Sequence, residues 1–88
     1  MASYHIEFKP SVEKDLRSLS STDVALIMRR IEDLSAAPLP RQAVKLSLSE
    51  RLYRIRAGNY RIVYEVDLEN KQITIHCVRH RRKVYRDL

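Results

Sequence analysis

The chain reads as a small α+β protein: an antiparallel four-stranded sheet in the order β-α-α-β-β-β, with a helical hairpin on one face and a basic, concave surface on the other. Three observations predict this. The spacing of apolar residues passes from a period of two to one of 3.6 and back to two, the pattern of a strand, then helices, then strands. A length of 88 residues fits one domain, residues 1–88, which buries only roughly 60–65% of its unfolded surface. Its core is therefore thin, and one sheet face is left for a ligand. Finally, the net charge of +6 lies wholly in the second half of the chain.

The elements follow in order. Tyr4-His5-Ile6-Glu7-Phe8-Lys9 alternates, with Tyr4, Ile6 and Phe8 on one face of a first strand. Pro10 and Ser11 end it. Ser11 is placed as the N-cap of a short helix carrying Val12, Leu16 and Leu19, with Lys14 where a full capping box has Glu. Ser20-Ser21-Thr22 interrupts that helix. Val24, Ile27, Met28, Ile31 and Leu34 then form the apolar stripe of a second helix, from about Asp23 to Ala36, ending before Pro38. An irregular stretch from Pro38 to Ser49 follows. Leu52–Ala57 sets Tyr53 and Ile55 against Arg54 and Arg56. Gly58-Asn59 forms a tight hairpin. Tyr60–Val66 sets Tyr60, Ile62, Tyr64 and Val66 against Arg61, Val63 and Glu65. Asp67–Lys71 turns again, and Gln72–Val78 carries Ile73, Ile75 and Cys77 on the core face. Short turns make these last three strands an antiparallel meander. Val84-Tyr85-Arg86 ends the chain.

Composition narrows the function. Hydrophobic residues at 44% and charged residues at 32% are ordinary for a folded domain and argue against disorder. The single cysteine, Cys77, forms no internal disulfide and excludes a cysteine-rich zinc site. It shares parity with Ile73 and Ile75 and reads as a small buried hydrophobe. His5 and His76 lack partners at metal-ligand spacing and read as structural. No metal and no cofactor are expected. The N-terminus shows no signal layout, and no apolar run approaches the roughly 18 residues of a membrane span; a cytoplasmic location is expected. Residues 1–44 balance six basic against six acidic residues, whereas residues 45–88 hold eleven basic and five acidic ones. Solubility alone does not require that asymmetry. A polyanionic partner exploits it, because each phosphate contact releases counterions.

Alternation places Arg54, Arg56 and Arg61 on one sheet face. The run Arg79-His80-Arg81-Arg82-Lys83 leaves the last strand where it can fold over that face, and Tyr85 rims it. Guanidinium forks grip phosphate with two parallel hydrogen bonds, and an aromatic ring stacks on an unpaired base. Blander readings compete. Arg54 and Arg56 suit a solvated strand face, Arg61 suits a pair with Glu65, the terminal run suits a basic tail, and Tyr85 suits a core anchor.

Tyr53-Arg54-Ile55-Arg56, Gly58-Asn59-Tyr60-Arg61-Ile62-Val63-Tyr64-Glu65-Val66 and His80-Arg81-Arg82-Lys83-Val84-Tyr85-Arg86 closely resemble the signature of RelE-like toxins of the RelE/ParE superfamily. The resemblance extends over nearly the whole chain. It implies a toxin neutralised by a cognate antitoxin, with which it forms a hetero-oligomer. It also implies an enzyme that enters the ribosomal A site on the 30S subunit and cleaves mRNA there, using the RNA's own 2′-hydroxyl as nucleophile and no metal. Arg61 and Arg81 match the family's catalytic arginines, and Tyr85 its C-terminal tyrosine. Arg54 and Arg56 stand where the best-known members carry lysines. Lys45-Leu46 matches a pair usually followed by glycine, here Ser47. Lys45, Arg79, Arg82 and Lys83 are the expected RNA-binding residues, and Arg54, Arg56, Arg61, His80, Arg81 and Tyr85 the expected catalytic set.

The lysine-to-arginine difference has a chemical consequence. Arginine does not give up its proton in proteins, so Arg54 and Arg56 are charge stabilisers and not general bases. The proton-transfer role falls to Tyr85, to His80, or to alignment of the 2′-hydroxyl with the phosphate, part of which the ribosome can supply. Two other functions suit the same fold: a ParE-like toxin that inhibits DNA gyrase by protein binding, and a non-catalytic RNA-binding module.

Overall fold

A computed structural model describes residues 3–46 and 51–82. The elements are β1 (His5–Phe8), α1 (Pro10–Arg17), α2 (Ser21–Ala36), β2 (Val44–Lys45), β3 (Leu52–Ala57), β4 (Tyr60–Asp67) and β5 (Gln72–His80). They form an α+β fold with one five-stranded sheet in the order β1-β5-β4-β3-β2.

The class and the helix-on-sheet arrangement agree with the sequence reading, and two details correct it. The sheet has a fifth strand, β2, paired antiparallel with β3 through Val44↔Arg54 and Lys45↔Tyr53. Two residues are too few to carry a period, so the segment read as irregular. The sheet is also not wholly antiparallel, because β1 runs parallel to β5, with Ile6↔Ile73 and Phe8↔Ile75 in register. Side-chain alternation is the same in either direction and cannot report it. What sets the direction is the connection. The chain leaves β1, crosses the sheet face as two helices, enters the far edge at β2 and returns by meander to lie beside β1, and such crossovers are how parallel pairs are joined.

Local chemistry fixes the helices. Lys9 is the N-cap of α1 and Pro10 its first residue, where a missing N–H costs nothing and the fixed φ suits a helix. Ser11, expected as the cap, is instead inside the helix. Ser20 caps α2, its hydroxyl accepting from the Asp23 N–H at 3.1 Å, so the apparent break is a start signal. Gly58 adopts φ +62, the positive value needed at the first central position of a type II′ hairpin. A Cβ there would stand 3.1 Å from the Leu26 side chain.

The core lies between helices and sheet. Val12 of α1 and Ile27, Ile31 and Leu34 of α2 meet Ile55, Ile62, Tyr64, Ile73 and Ile75. Each fully buried aliphatic side chain contributes about 1.5–3 kcal/mol. The Tyr64 hydroxyl donates to the Pro38 carbonyl at 2.8 Å, which satisfies the one polar atom this ring takes inside. Burial, and then the neighbouring Tyr53, raises its pKa well above the ordinary phenol range.

A bulge lies between Val63 and Tyr64, where Tyr64 pairs with Ile75 but Val63 pairs with Cys77. The extra β5 residue shifts parity. Val78 joins the main core, while Cys77 is buried with Val63, Leu46 and Leu52 on the opposite face. Cys77 is thus a buried hydrophobe as expected, but on the other side of the sheet.

Candidate functional site

Cross-strand partners share a sheet face, so the register builds the site row by row. Arg56 stands opposite Arg61, and Arg61 opposite Arg79. Arg54 stands opposite Val63. With the Ile55, Ile62 and Tyr64 side chains turned to the helices, Arg54, Arg56 and Arg61 emerge together on the open face. They line one concavity of about 260 Å³ with Gln42, Val44 and Ile55. Like charges directly across a strand pair repel, and an anion set between them removes that penalty. Two strands, both anchored by the core, carry these side chains, so their backbone positions are as rigid as the fold.

The other predicted residues divide. Arg81 is exposed, and its N–H donates to the Asn59 carbonyl at 2.8 Å, which ties the middle of the basic run to the hairpin at the Arg56–Arg61 end of the sheet. Arg82 is exposed beside it, its N–H donating to His80 Nδ1 at 3.3 Å. Arg79 turns round the β5 edge and pairs with Asp15 of α1. Asp15 also accepts from the Val78 N–H at 3.1 Å, and the Ser11 hydroxyl donates to the His76 carbonyl at 3.4 Å. Together α1 and these side chains close the β5 edge beyond the reach of β1, where an open edge would recruit foreign strands.

His80 is placed away from the arginine concavity. It is the register partner of Tyr60 and meets its ring edge-on, with centroids 5.6 Å apart. Both line a separate groove between α1 and the sheet, with Lys14 and Ser18. Burial, and then the Asp23 carboxylate, raises the Tyr60 pKa. Lys45 pairs with Tyr53 and so shares the helix-side parity and not that of Arg54. Lys83 and Tyr85 lie outside the described residues.

One pair on the open face escaped the sequence reading. His76 Nε2 and Glu65 Oε1 are 3.1 Å apart, with both side chains partly buried. The parity of Glu65 with Arg61 was a signal for it, but its partner on β5 is not deducible from spacing. Among the described residues, no cluster of His, Cys, Asp or Glu has the makings of a metal site, and no helix is long and apolar enough to cross a membrane.

With this geometry in view, the comparisons with known proteins are specific. The family described as the ParE toxin of type II toxin-antitoxin systems matches residues 6–85. A chain in the archaeal RelE–RelB complex from Pyrococcus horikoshii OT3 is 30% identical, with 92% of this chain and 97% of that chain covered and a TM-score of 0.81. One in the toxin-antitoxin complex RelBE2 from Mycobacterium tuberculosis is 30% identical over 89% of this chain and 98% of that chain, with a TM-score of 0.77. One in the RelB–RelE antitoxin–toxin complex from Methanococcus jannaschii is 28% identical over 93% and 98%, with a TM-score of 0.74.

Proposed function

The chain belongs to the RelE/ParE superfamily as a RelE-like toxin of a type II toxin-antitoxin system, and from that premise we propose that it is a ribosome-dependent, metal-independent endoribonuclease that cleaves mRNA in the A site. The observation that carries this reading is the single concavity formed by Arg54, Arg56 and Arg61. In the proposed reaction the ribosome presents the A-site codon as an unpaired strand across the open sheet face. Arg54 and Arg61 grip the phosphate oxygens on either side of the scissile bond. Arg56 adds charge, and Arg81, from its place beside the hairpin, closes over the same group. The 2′-hydroxyl attacks phosphorus, the bond to the 5′-oxygen breaks, and the products are a 2′,3′-cyclic phosphate and a 5′-hydroxyl. The guanidinium groups stabilise the charge that develops on the phosphorane, a role worth about 10²–10³-fold for each well-aimed donor. Lys83 is proposed to contact the RNA and Tyr85 to take part in catalysis.

The solved relatives are RelE–RelB and RelBE complexes, and a cognate antitoxin is proposed as the partner that neutralises this chain in the cytoplasm. The matching family carries the ParE name, which keeps gyrase inhibition as the second reading. Ribosomes programmed with a defined A-site codon separate the two. Ends mapped within that codon, carrying cyclic or 3′-phosphate, support the nuclease. Intact mRNA together with loss of gyrase supercoiling supports the ParE-like reading.

A further inference from the structure

We propose that Glu65 and His76 form the proton-accepting dyad for cleavage on the arginine face, an inference that rests on the nuclease reading above. The arginines there cannot take a proton from the 2′-hydroxyl, and His80 stands in a groove on the other side of the sheet. His76 stands on the arginine side. Ile75 and Val78 point into the main core, and the bulge leaves His76 and Cys77 between them on the open face. Bulges commonly re-aim a side chain beside a reaction site.

The placement suits the reaction. Arg54, Val63 and Cys77 form one row across β3, β4 and β5, so His76 lies two strands from Arg54, roughly 10 Å between backbones. Val63, in the middle of that row, is two residues from Arg61. Val63 and Cys77 between them are buried with Leu46 and Leu52, so a nucleotide gripped by Arg54 and Arg61 reaches the imidazole on β5 by extending across that apolar patch. The charged and titratable groups on this face are Arg54 and Arg56 on β3, Arg61, Glu65 and Asp67 on β4, Cys77 and Arg79 on β5, and His5, Glu7 and Lys9 at the β1 side, with Arg79 held by Asp15 of α1. Glu7 is engaged by His5 at 3.1 Å, whereas Glu65 is turned to His76.

The hydrogen bond sets the tautomer. With Nε2–H donating to Glu65 Oε1, Nδ1 carries the free lone pair, and the carboxylate stabilises the imidazolium that forms. The 2′-hydroxyl proton passes to Nδ1 as the O2′–P bond forms. The P–O5′ bond breaks, the 5′-oxygen takes a proton from water, and His76 returns its own to solvent. No oxidant, metal or other co-reactant is needed.

The test is single-turnover cutting by the full chain on programmed ribosomes across pH 5–9, with wild type, His76→Gln, His76→Ala and Glu65→Gln. The expected result is a fall of about 10²–10⁴-fold for His76→Gln with ribosome binding retained. The acid limb of the wild-type profile should disappear in His76→Gln, Glu65→Gln should slow cutting with ribosome binding retained, and added imidazole should partly restore His76→Ala. Full-rate cutting by folded His76→Gln with an unchanged profile overturns the dyad and leaves the nuclease reading intact. If the histidine variants fail to fold, full-rate cutting by Glu65→Gln overturns it instead. Wild type that leaves mRNA uncut removes the nuclease reading and the dyad with it.

Discussion

The two faces of the sheet are made from the same strands and do opposite things. On the helix side Ile55, Ile62, Tyr64, Ile73 and Ile75 are almost fully buried and hold the fold. On the open side the intervening residues Arg54, Arg56 and Arg61 gather into one concavity, with Glu65 and His76 on the same face. A strand with a period of two keeps these demands apart. Packing constrains one set of residues and chemistry the other, so stability and activity are expected to respond to different substitutions.

The largest effect expected is on the open face. Replacing Arg54, Arg56 and Arg61 together by alanine should reduce mRNA cutting to the level of ribosomes alone, more than about 10³-fold. The melting temperature should stay within a few degrees of wild type, because relief of the opposed Arg56 and Arg61 charges offsets the interactions that Arg54 and Arg61 make. A fall in both quantities would break the separation of faces. On the other side, Ile31→Ala removes a fully buried α2 side chain and should cost about 2–5 kcal/mol in denaturant unfolding, while the molecules still folded cut at the wild-type rate.

Tyr64→Phe sharpens the same contrast. It removes the hydroxyl bond to Pro38 and should cost about 1 kcal/mol. The folded-state pKa of Tyr64 is raised, so the neutral ring contributes stability that is complete below the unfolded value of roughly 10 and is lost as pH rises above it. Alkaline unfolding should therefore be shallower in the phenylalanine variant. Ser20→Ala, at the α2 N-cap, should cost about 0.5–2 kcal/mol with no change in cutting.

The sequence made the buried face legible because burial leaves a period. β3 begins and ends where the alternation of Leu52–Ala57 says, and the Gly58 turn follows from a conformation glycine alone adopts freely. The sequence left β2 invisible, since two residues carry no period, and hid the direction of β1, since alternation has none. The bulge at Val63 and Tyr64 was equally hidden. One extra residue on β5 reversed the parity of Cys77, and only pairing with a second strand reveals that. The site was partly legible. Parity alone gathered Arg54, Arg56 and Arg61. Edge effects separated the rest: Arg79 turns to Asp15, His80 falls beside Tyr60, and Glu65 finds His76 across a strand boundary that no spacing rule crosses.

The central claim is that the open-face arginines do the chemistry while the opposite face does the folding. It is tested most directly by the single-turnover cleavage rate of Arg61→Ala at saturating programmed ribosomes, measured beside its melting temperature. A rate lower by about 10²–10³-fold is expected, with a melting temperature within a few degrees of wild type. An unchanged rate, or a loss of rate only in proportion to a loss of folded protein, would contradict it.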